Sequence, residues 1–94
     1  MTLHLAENLD LNAAAPLRGA LLQARGAALD MDASGVQRLG GLCLQVLLSA
    51  EATWATDGYP FVISATSPAF AEGARRMGAH ALAFEPTLQE SRFE

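Results

Sequence analysis

The side chains that could carry chemistry lie close together in the chain, between Asp30 and Cys43. Asp30 and Asp32 are two residues apart in an extended run, so both carboxylates face the same side of a strand, as a metal site or an acid/base pair requires. No His, Glu or Lys stands nearby in the sequence to complete such a site. Asp32 followed by Ser34 is also typical of an Asx turn. We interpret the pair as part of a turn and expect no catalysis from it.

Cys43 and the Gly40-Gly41 step stand at the start of a predicted helix. The helix dipole would favour a Cys43 thiolate, but no base is adjacent, so we interpret this residue as a small core side chain. The glycines leave the first backbone N–H groups of the helix open to an anion, and Arg38 is the nearest cation. A small-molecule or nucleotide sensor that uses the Gly40-Gly41 helix N-terminus is therefore an alternative function.

Alternating strand and helix patterns surround these residues and must position them. The predicted strands cover residues 2–6, 27–31, 61–65 and 81–84, and the predicted helices run from an N-cap at Asn12 to Gly26, over 41–56, and from an N-cap at Ser67 to Gly78. This order predicts an α/β fold with a four-stranded, mostly parallel or mixed sheet and three main helices. The polar residues 87–94 form a tail.

The apolar periodicity of each helix predicts which face is buried. The inward residues are Leu17, Leu21 and Ala24 in the first helix, a broad face including Leu42, Cys43, Val46, Leu47, Ala50 and Trp54 in the second, and Phe70, Ala74 and Met77 in the third. Trp54 is the only tryptophan, and the pattern leaves open whether it lies in the core or contacts a partner. His4 falls on the outer face of the first strand and is interpreted as a solvated histidine.

Composition excludes several classes of function. The 94 residues suit one domain over 1–94, and a net charge of −4 with no Lys argues against nucleic-acid binding. One cysteine cannot form an internal disulfide, and no leader or membrane-length apolar run is visible. We therefore expect a cytoplasmic protein without direct membrane insertion. No metal-spaced cluster or phosphate loop is present, so no metal, cofactor or enzymatic activity is expected.

The segment from Asp32 to the central helix resembles the STAS domain of anti-sigma-factor antagonists and sulfate transporters. Asp32, Ser34 and Val36 match the first part of the family pattern, and Leu44 and Leu47 with Leu48 match the helix after it. The resemblance extends over about residues 3–84. It implies a STAS-like fold that lacks the usual first strand.

The second part of the family pattern is altered in this chain. Gly40 replaces the family's Asp, Gly41 replaces its Ser or Thr, Leu42 occupies the usual phosphoacceptor position, and Cys43 replaces its Gly. In STAS antagonists a phosphate on the hydroxyl at this point adds negative charge and switches docking off. Because Gly41 and Leu42 have no hydroxyl, the resemblance implies a non-enzymatic adaptor that phosphorylation does not switch.

The resemblance also implies a docking site and a class of partner. The residues expected to contact the partner are Asp32, Ser34, Gly35, Arg38, Gly40, Gly41, Leu42 and Gln45. The partner would be an anti-sigma kinase, a chemotaxis or two-component histidine kinase system, or an ABC lipid transporter. Trp54 with Asp57-Gly58, and the later segment 67–70, are most similar to small stand-alone proteins encoded beside bacterial chemotaxis genes. Whether the chain forms a homodimer is left open.

Overall fold

All the strand pairs that the computed structural model describes, over residues 2–77, are parallel. Strands β1 (Thr2–His4), β3 (Leu29–Ala33) and β5 (Phe61–Thr66) form one sheet in the order β1-β3-β5, and the short strands β2 (Asn8–Leu9) and β4 (Arg38–Leu39) form a separate pair. The central strand β3 alternates buried and half-buried residues, as expected for a strand with one face on the core.

Three α-helices alternate with these strands. One turn of 3-10 helix (Leu11–Ala13) leads into α1 (Ala14–Ala24), and α2 (Gly41–Asp57) and α3 (Pro68–Arg76) follow. The predicted α/β class with three helices and a mostly parallel sheet is confirmed. Three of the four predicted strands are found, as β1, β3 and β5, and the short strands β2 and β4 were not predicted. The predicted strand over 81–84, the helix stop at Gly78 and the tail over 87–94 lie outside the described residues.

The sequence predicted the N-terminal caps of α1 and α3; the first prediction is wrong and the second is confirmed. The cap before α1 is Asp10 rather than Asn12, because the Asp10 carboxylate accepts the backbone N–H groups of Asn12 at 3.1 Å and Ala13 at 3.2 Å. The turn therefore begins two residues earlier than predicted, with a 3-10 turn before the α-helix. Ser67 caps α3 as predicted, since its hydroxyl accepts the Phe70 N–H at 3.0 Å.

The C-terminal ends of α1 and α2 use glycines in the left-handed conformation. Gly26 has φ of 96° and Gly58 has φ of 81°, a region that costs other residues steric strain. Between the cap and Gly26, the predicted inward residues Leu17, Leu21 and Ala24 are all buried. The helical period of α1 thus predicted its buried face, and Gly26 predicted its end.

Helix α2 contributes most to the core. Its buried residues are Cys43, Leu44, Leu47, Ala50 and Trp54. Trp54 is 2% exposed, its indole N–H donates to the Ala27 carbonyl at 2.8 Å, and its ring lies 5.5 Å from that of Phe61. Trp54 is therefore a core residue, which answers the question that the sequence left open. Leu42 was predicted on the apolar face but is 49% exposed.

Helix α3 buries Phe70 and Ala74 but not Met77. The prediction that Met77 faces inward is wrong: the residue is 42% exposed. The helix ends at Arg76, and Met77 has non-helical dihedrals of φ −90° and ψ 7°, so the helical period no longer decides where its side chain points. Arg75 and Arg76 lie on the surface within 3.5 and 3.3 Å of Glu72.

Ser67 is a buried polar residue that joins three segments. Its backbone N–H donates to the Ala33 carbonyl at 3.1 Å, and its hydroxyl both donates to the Val36 carbonyl and accepts the Phe70 N–H. The end of β5, the start of α3 and the loop after β3 are therefore held together at one side chain. Removing it leaves buried backbone groups without partners, which is costly.

We expect Ser67→Ala to lower the free energy of unfolding by about 2 kcal/mol, since it removes a helix cap and a buried hydrogen bond. Urea unfolding followed by circular dichroism measures the change. Ser49→Ala is the matched control, because Ser49 is exposed on α2 and the replacement should stay within about 0.5 kcal/mol of the native value. Equal effects of the two substitutions would show that the hydrogen bonds of Ser67 contribute no more to stability than an exposed serine does.

Candidate functional site

The eight residues predicted to contact a partner lie between the end of β3 and the first turns of α2. Asp32 is in β3, Ser34 and Gly35 form the turn after it, Arg38 is in β4, Gly40 is the N-cap of α2, and Gly41, Leu42 and Gln45 belong to the start of that helix. Asp32 and Gly40 are half-buried, and the other six are exposed. Most of the predicted site is therefore accessible.

The two glycines at the start of α2 have different roles. The Gly40 N–H donates to the Leu9 carbonyl at 2.8 Å, and a Cβ on Gly40 would lie only 3.0 Å from that same oxygen. Within residues 2–77, a Cβ on Gly41 would meet only the Met77 sulfur, at an ordinary contact distance of 3.8 Å. Close packing of two backbones therefore leaves little room for a side chain at position 40, whereas Gly41 lies at the surface.

Exposed apolar side chains lie on the segments that meet at the start of α2. Leu42 is 49% exposed in the first turn of α2, Leu11 is 74% exposed in the 3-10 turn, and Met77 is 42% exposed at the end of α3. We call Leu11, Gly41, Leu42 and Met77 the α2 tip. Large apolar groups left exposed close to one helix terminus are candidates for a protein interaction site.

Sequence reasoning missed two members of the α2 tip, Leu11 and Met77. Leu11 is carried to the start of α2 because the Cys43 thiol donates to the carbonyl of the preceding residue, Asp10, at 3.3 Å. An isolated leucine between Asp10 and Asn12 was a usable signal, since a large apolar residue in a polar turn needs a partner. Met77 had no such signal, because its helical spacing indicated burial.

Cys43 is buried and poorly suited to react. Burial raises the pKa of the Cys43 thiol, and the nearby negative charge of Asp10 raises it further. The same charge weighs against an anion at the start of α2, where the Gly40 N–H is already bonded to Leu9. Arg38 lies on β4 and forms no ion pair within residues 2–77. Arg38 is thus available to an anion, but the Asp10 charge and the occupied Gly40 N–H weigh against an anion site at the start of α2.

Asp32 forms the predicted turn and also acquires a histidine neighbour. The Ser34 N–H donates to Asp32 Oδ1 at 2.8 Å, as an Asx turn requires. The register of β1 on β3 places His4 opposite Asp32, with Nδ1 3.3 Å from Oδ2. Hydrogen bonds from the Ser34 side chain and backbone, and then His4, lower the pKa of Asp32.

This cluster has the residue types of a hydrolytic triad but not its order. The Asp32 carboxylate stands between Ser34 and His4, whereas nucleophilic catalysis requires the imidazole to contact the hydroxyl. A carboxylate whose pKa is lowered is also a weak general base at neutral pH.

Asp30, two residues earlier on the same face of β3, has one carboxylate oxygen that is buried without a hydrogen-bond partner within residues 2–77. No group of three or more residues suited to hold a metal is found in that range.

Comparison with known proteins gives one match. A protein-family model described as "Mlab, STAS domain" matches residues 1–88, a range that includes every residue of the predicted docking site. No curated protein and no solved structure gives a significant match. Over the part of the chain that the structure describes, no helix combines the length and the apolar character needed to cross a membrane.

The two glycines can be distinguished by stability. We expect Gly40→Ala to lower the free energy of unfolding by about 1–3 kcal/mol, because the new methyl group crowds the Leu9 carbonyl. Gly41→Ala should be neutral or stabilising by up to about 1 kcal/mol, since alanine is the better helix former and its Cβ has space. Chemical unfolding of both variants measures the difference. Similar effects at both positions would contradict the assigned contact.

The turn at Asp32 can be tested by carboxylate titration. We expect Ser34→Ala to raise the pKa of Asp32 toward its ordinary value, because the hydroxyl hydrogen bond is the largest cause of the shift. His4→Gln should raise it less, since His4 contributes less. Side-chain ¹³C NMR of Asp32 as a function of pH measures both. A larger effect of His4→Gln would contradict the assigned order of causes.

The lowered pKa also fixes the direction of a stability change with pH. Asp32 stabilises the fold fully above its unfolded-state pKa of about 4, and this contribution is lost as the pH falls through the lower folded-state pKa. The stability difference between the native protein and Asp32→Asn should therefore shrink as the pH falls below about 4. Unfolding at a series of pH values measures it.

Proposed function

The chain belongs to the STAS domain family, and from that premise we propose that it is a regulatory adaptor that docks onto a partner protein through the α2 tip. STAS domains are generally non-enzymatic regulatory domains that mediate protein–protein interactions. In this proposal the chain catalyses no reaction, and its effect on the partner arises from binding alone.

The observation that carries the proposal is the exposed apolar α2 tip. Leu42 and Leu11 leave about half or more of their surface accessible, and Gly41 beside them has no side chain to keep another backbone away. Burying a leucine side chain in a partner contributes about 1.5–3 kcal/mol. Two such residues and an open backbone can therefore form the centre of an interface.

Polar residues lie on the same segment as the tip and can form the rim of that interface. Asp32, Ser34 and Gly35 lie at the turn after β3, Arg38 lies on β4, and Gln45 is one helical turn beyond Gly41. Arg38 has no ion-pair partner within the described residues, so it can meet a carboxylate on the partner. An apolar centre with a polar rim is the usual composition of a protein interface.

We propose further that docking is constitutive, which means that phosphorylation of this chain does not switch it. Gly41 and Leu42 stand where the family has its phosphorylated hydroxyl, and neither can accept a phosphate. A phosphate would add a charge of about −1.5 to −2 in the middle of an apolar surface and so disrupt docking. Without the hydroxyl, the affinity of the tip for its partner does not depend on a kinase or phosphatase.

The classes of partner that fit are an anti-sigma kinase, a chemotaxis or two-component histidine kinase system, and an ABC lipid transporter component. All three place the adaptor in the cytoplasm, and we propose that location. The proteins encoded beside this chain's gene would discriminate among the three classes. The Arg38 guanidinium adds the expectation that the partner's surface carries a carboxylate near the docked tip.

We expect Leu42→Asp to weaken partner binding at least about tenfold, since it places a charge at the apolar centre of the interface. The partner is first captured on the immobilised native protein from cytosol, then purified, and its affinity is measured by calorimetry. Ala52→Asp is the control, because Ala52 is exposed on the same helix and lies outside the tip. Equal loss with both variants, or no loss with Leu42→Asp, would remove the tip as the docking site.

Mass spectrometry tests whether the partner phosphorylates this chain. The native protein is incubated with the purified partner and ATP, and its intact mass is then measured. If the partner is a kinase, we expect no added phosphate. A stoichiometric phosphate on Ser34, the exposed hydroxyl in the turn next to the tip, would show that docking is switched after all.

A further inference from the structure

A groove runs between α1 and α2, on a surface that the docking proposal does not use except at Gln45. Its walls are Arg18, Leu22 and Arg25 along α1 and Gln45, Ser49 and Thr53 along α2, and its floor includes Leu21, Ala50 and Trp54. We call it the α1–α2 groove. Its volume is about 490 Å³, and Leu22 on its edge is 52% exposed.

Small side chains create this space. Ser49, Ala50 and Thr53 face α1 and leave a gap that larger residues would fill. The floor is firmly placed, because the Trp54 indole N–H is bonded to the Ala27 carbonyl. The α2 wall repeats every four residues over roughly 12 Å, from the helical rise of 1.5 Å per residue. A helix from another molecule can pack a ridge of its side chains into such a groove.

The groove is basic on a protein that is acidic as a whole. The chain has a net charge of −4 at pH 7, yet the residues that line the groove include two arginines and no carboxylate. Arg25 is neutralised by Asp57, with two hydrogen bonds of 2.8 and 3.2 Å. Arg18 forms no ion pair within residues 2–77. One guanidinium group beside an apolar floor is therefore available to a ligand.

This charge pattern selects the occupant. An isologous dimer through this groove would bring together two uncompensated arginines with no lining carboxylate to meet them, so the groove is not self-complementary. We propose that the α1–α2 groove binds an acidic amphipathic helix of another protein, with an apolar side chain beside Leu22 and a carboxylate opposite Arg18. The apolar contact supplies most of the affinity, and the carboxylate supplies specificity.

The test uses a defined probe on the full chain. The probe is a capped synthetic helical peptide with leucines along one face and glutamates beside them, and its match has glutamines instead of the glutamates. Titration of the ¹⁵N-labelled protein should shift amide signals confined to 18–25 and 45–54, together with the Trp54 indole N–H. The glutamine peptide should bind about threefold to fivefold more weakly, the range expected for one exposed charge pair.

Two matched arginine variants locate the charge contact. Arg18→Gln should weaken the glutamate peptide about threefold to fivefold and leave the glutamine peptide unchanged. Arg38→Gln removes another exposed arginine without an ion pair in the described chain and should change neither peptide. Ser49→Trp, which fills the groove, should abolish the shifts while circular dichroism confirms that the fold is retained.

Three results would overturn the proposal. These are no shifts with either peptide at millimolar concentration, equal effects of Arg18→Gln and Arg38→Gln, and shifts centred on the α2 tip. Leu42→Asp separates this proposal from the docking proposal, because it should leave peptide binding intact. Loss of peptide binding in Leu42→Asp would assign the peptide to the tip and remove the groove as its site.

Discussion

The Gly40 backbone lies against the Leu9 carbonyl, where a side chain would meet the carbonyl oxygen at a crowded distance of 3.0 Å. This contact holds the N-terminal segment against the start of α2, and the β2–β4 pair and the bond from Cys43 to Asp10 strengthen it. Once α2 begins at that point, the helical period decides which residues of its first turn are covered. Cys43 and Leu44 enter the core, and the two residues before them are left at the surface. The exposure of Gly41 and Leu42 thus follows from where α2 begins.

Both candidate surfaces are built on well-anchored elements. Ser67 connects α3 to the loop that leads into β4, and Trp54 connects α2 to the segment before β3. These hydrogen bonds are buried or half-buried, and each replaces a hydrogen bond to water in the unfolded chain. Removing one partner would leave the other buried group without a hydrogen bond, which destabilises the fold. A surface that is held in place before binding loses less conformational entropy when it binds. An adaptor that acts by binding alone benefits directly from that rigidity.

Charge is distributed unevenly over the molecule. Several carboxylates already have partners: Asp57 bonds Arg25, Asp32 bonds Ser34 and His4, and Glu72 lies beside two arginines of α3. Arg18 and Arg38 form no ion pair in the described part of the chain, and they lie at the two candidate surfaces. In an acidic protein, such arginines favour acidic partners and disfavour basic ones. Charge therefore adds selectivity to surfaces whose affinity comes from apolar contacts.

The sequence by itself determined the features that depend on neighbouring residues. Ser67-Pro68 specified the start of α3, Gly26 and Gly58 the ends of α1 and α2, and Asp32 with Ser34 the turn after β3, because each signal acts over three or four residues. The segment from Asp32 to Leu48 carried the resemblance to the family, and the comparison confirmed that family over 1–88.

Tertiary structure alone decided which distant residues meet. The pairing of β1 with β3 brings His4 to Asp32, the end of α3 brings Met77 to Gly41, and packing of α1 on α2 forms the groove over Trp54. The position of Leu11 likewise depends on how the N-terminal segment lies against α2. A periodic pattern encodes which face of an element is apolar, but it contains no information about which other element will cover that face or leave it open.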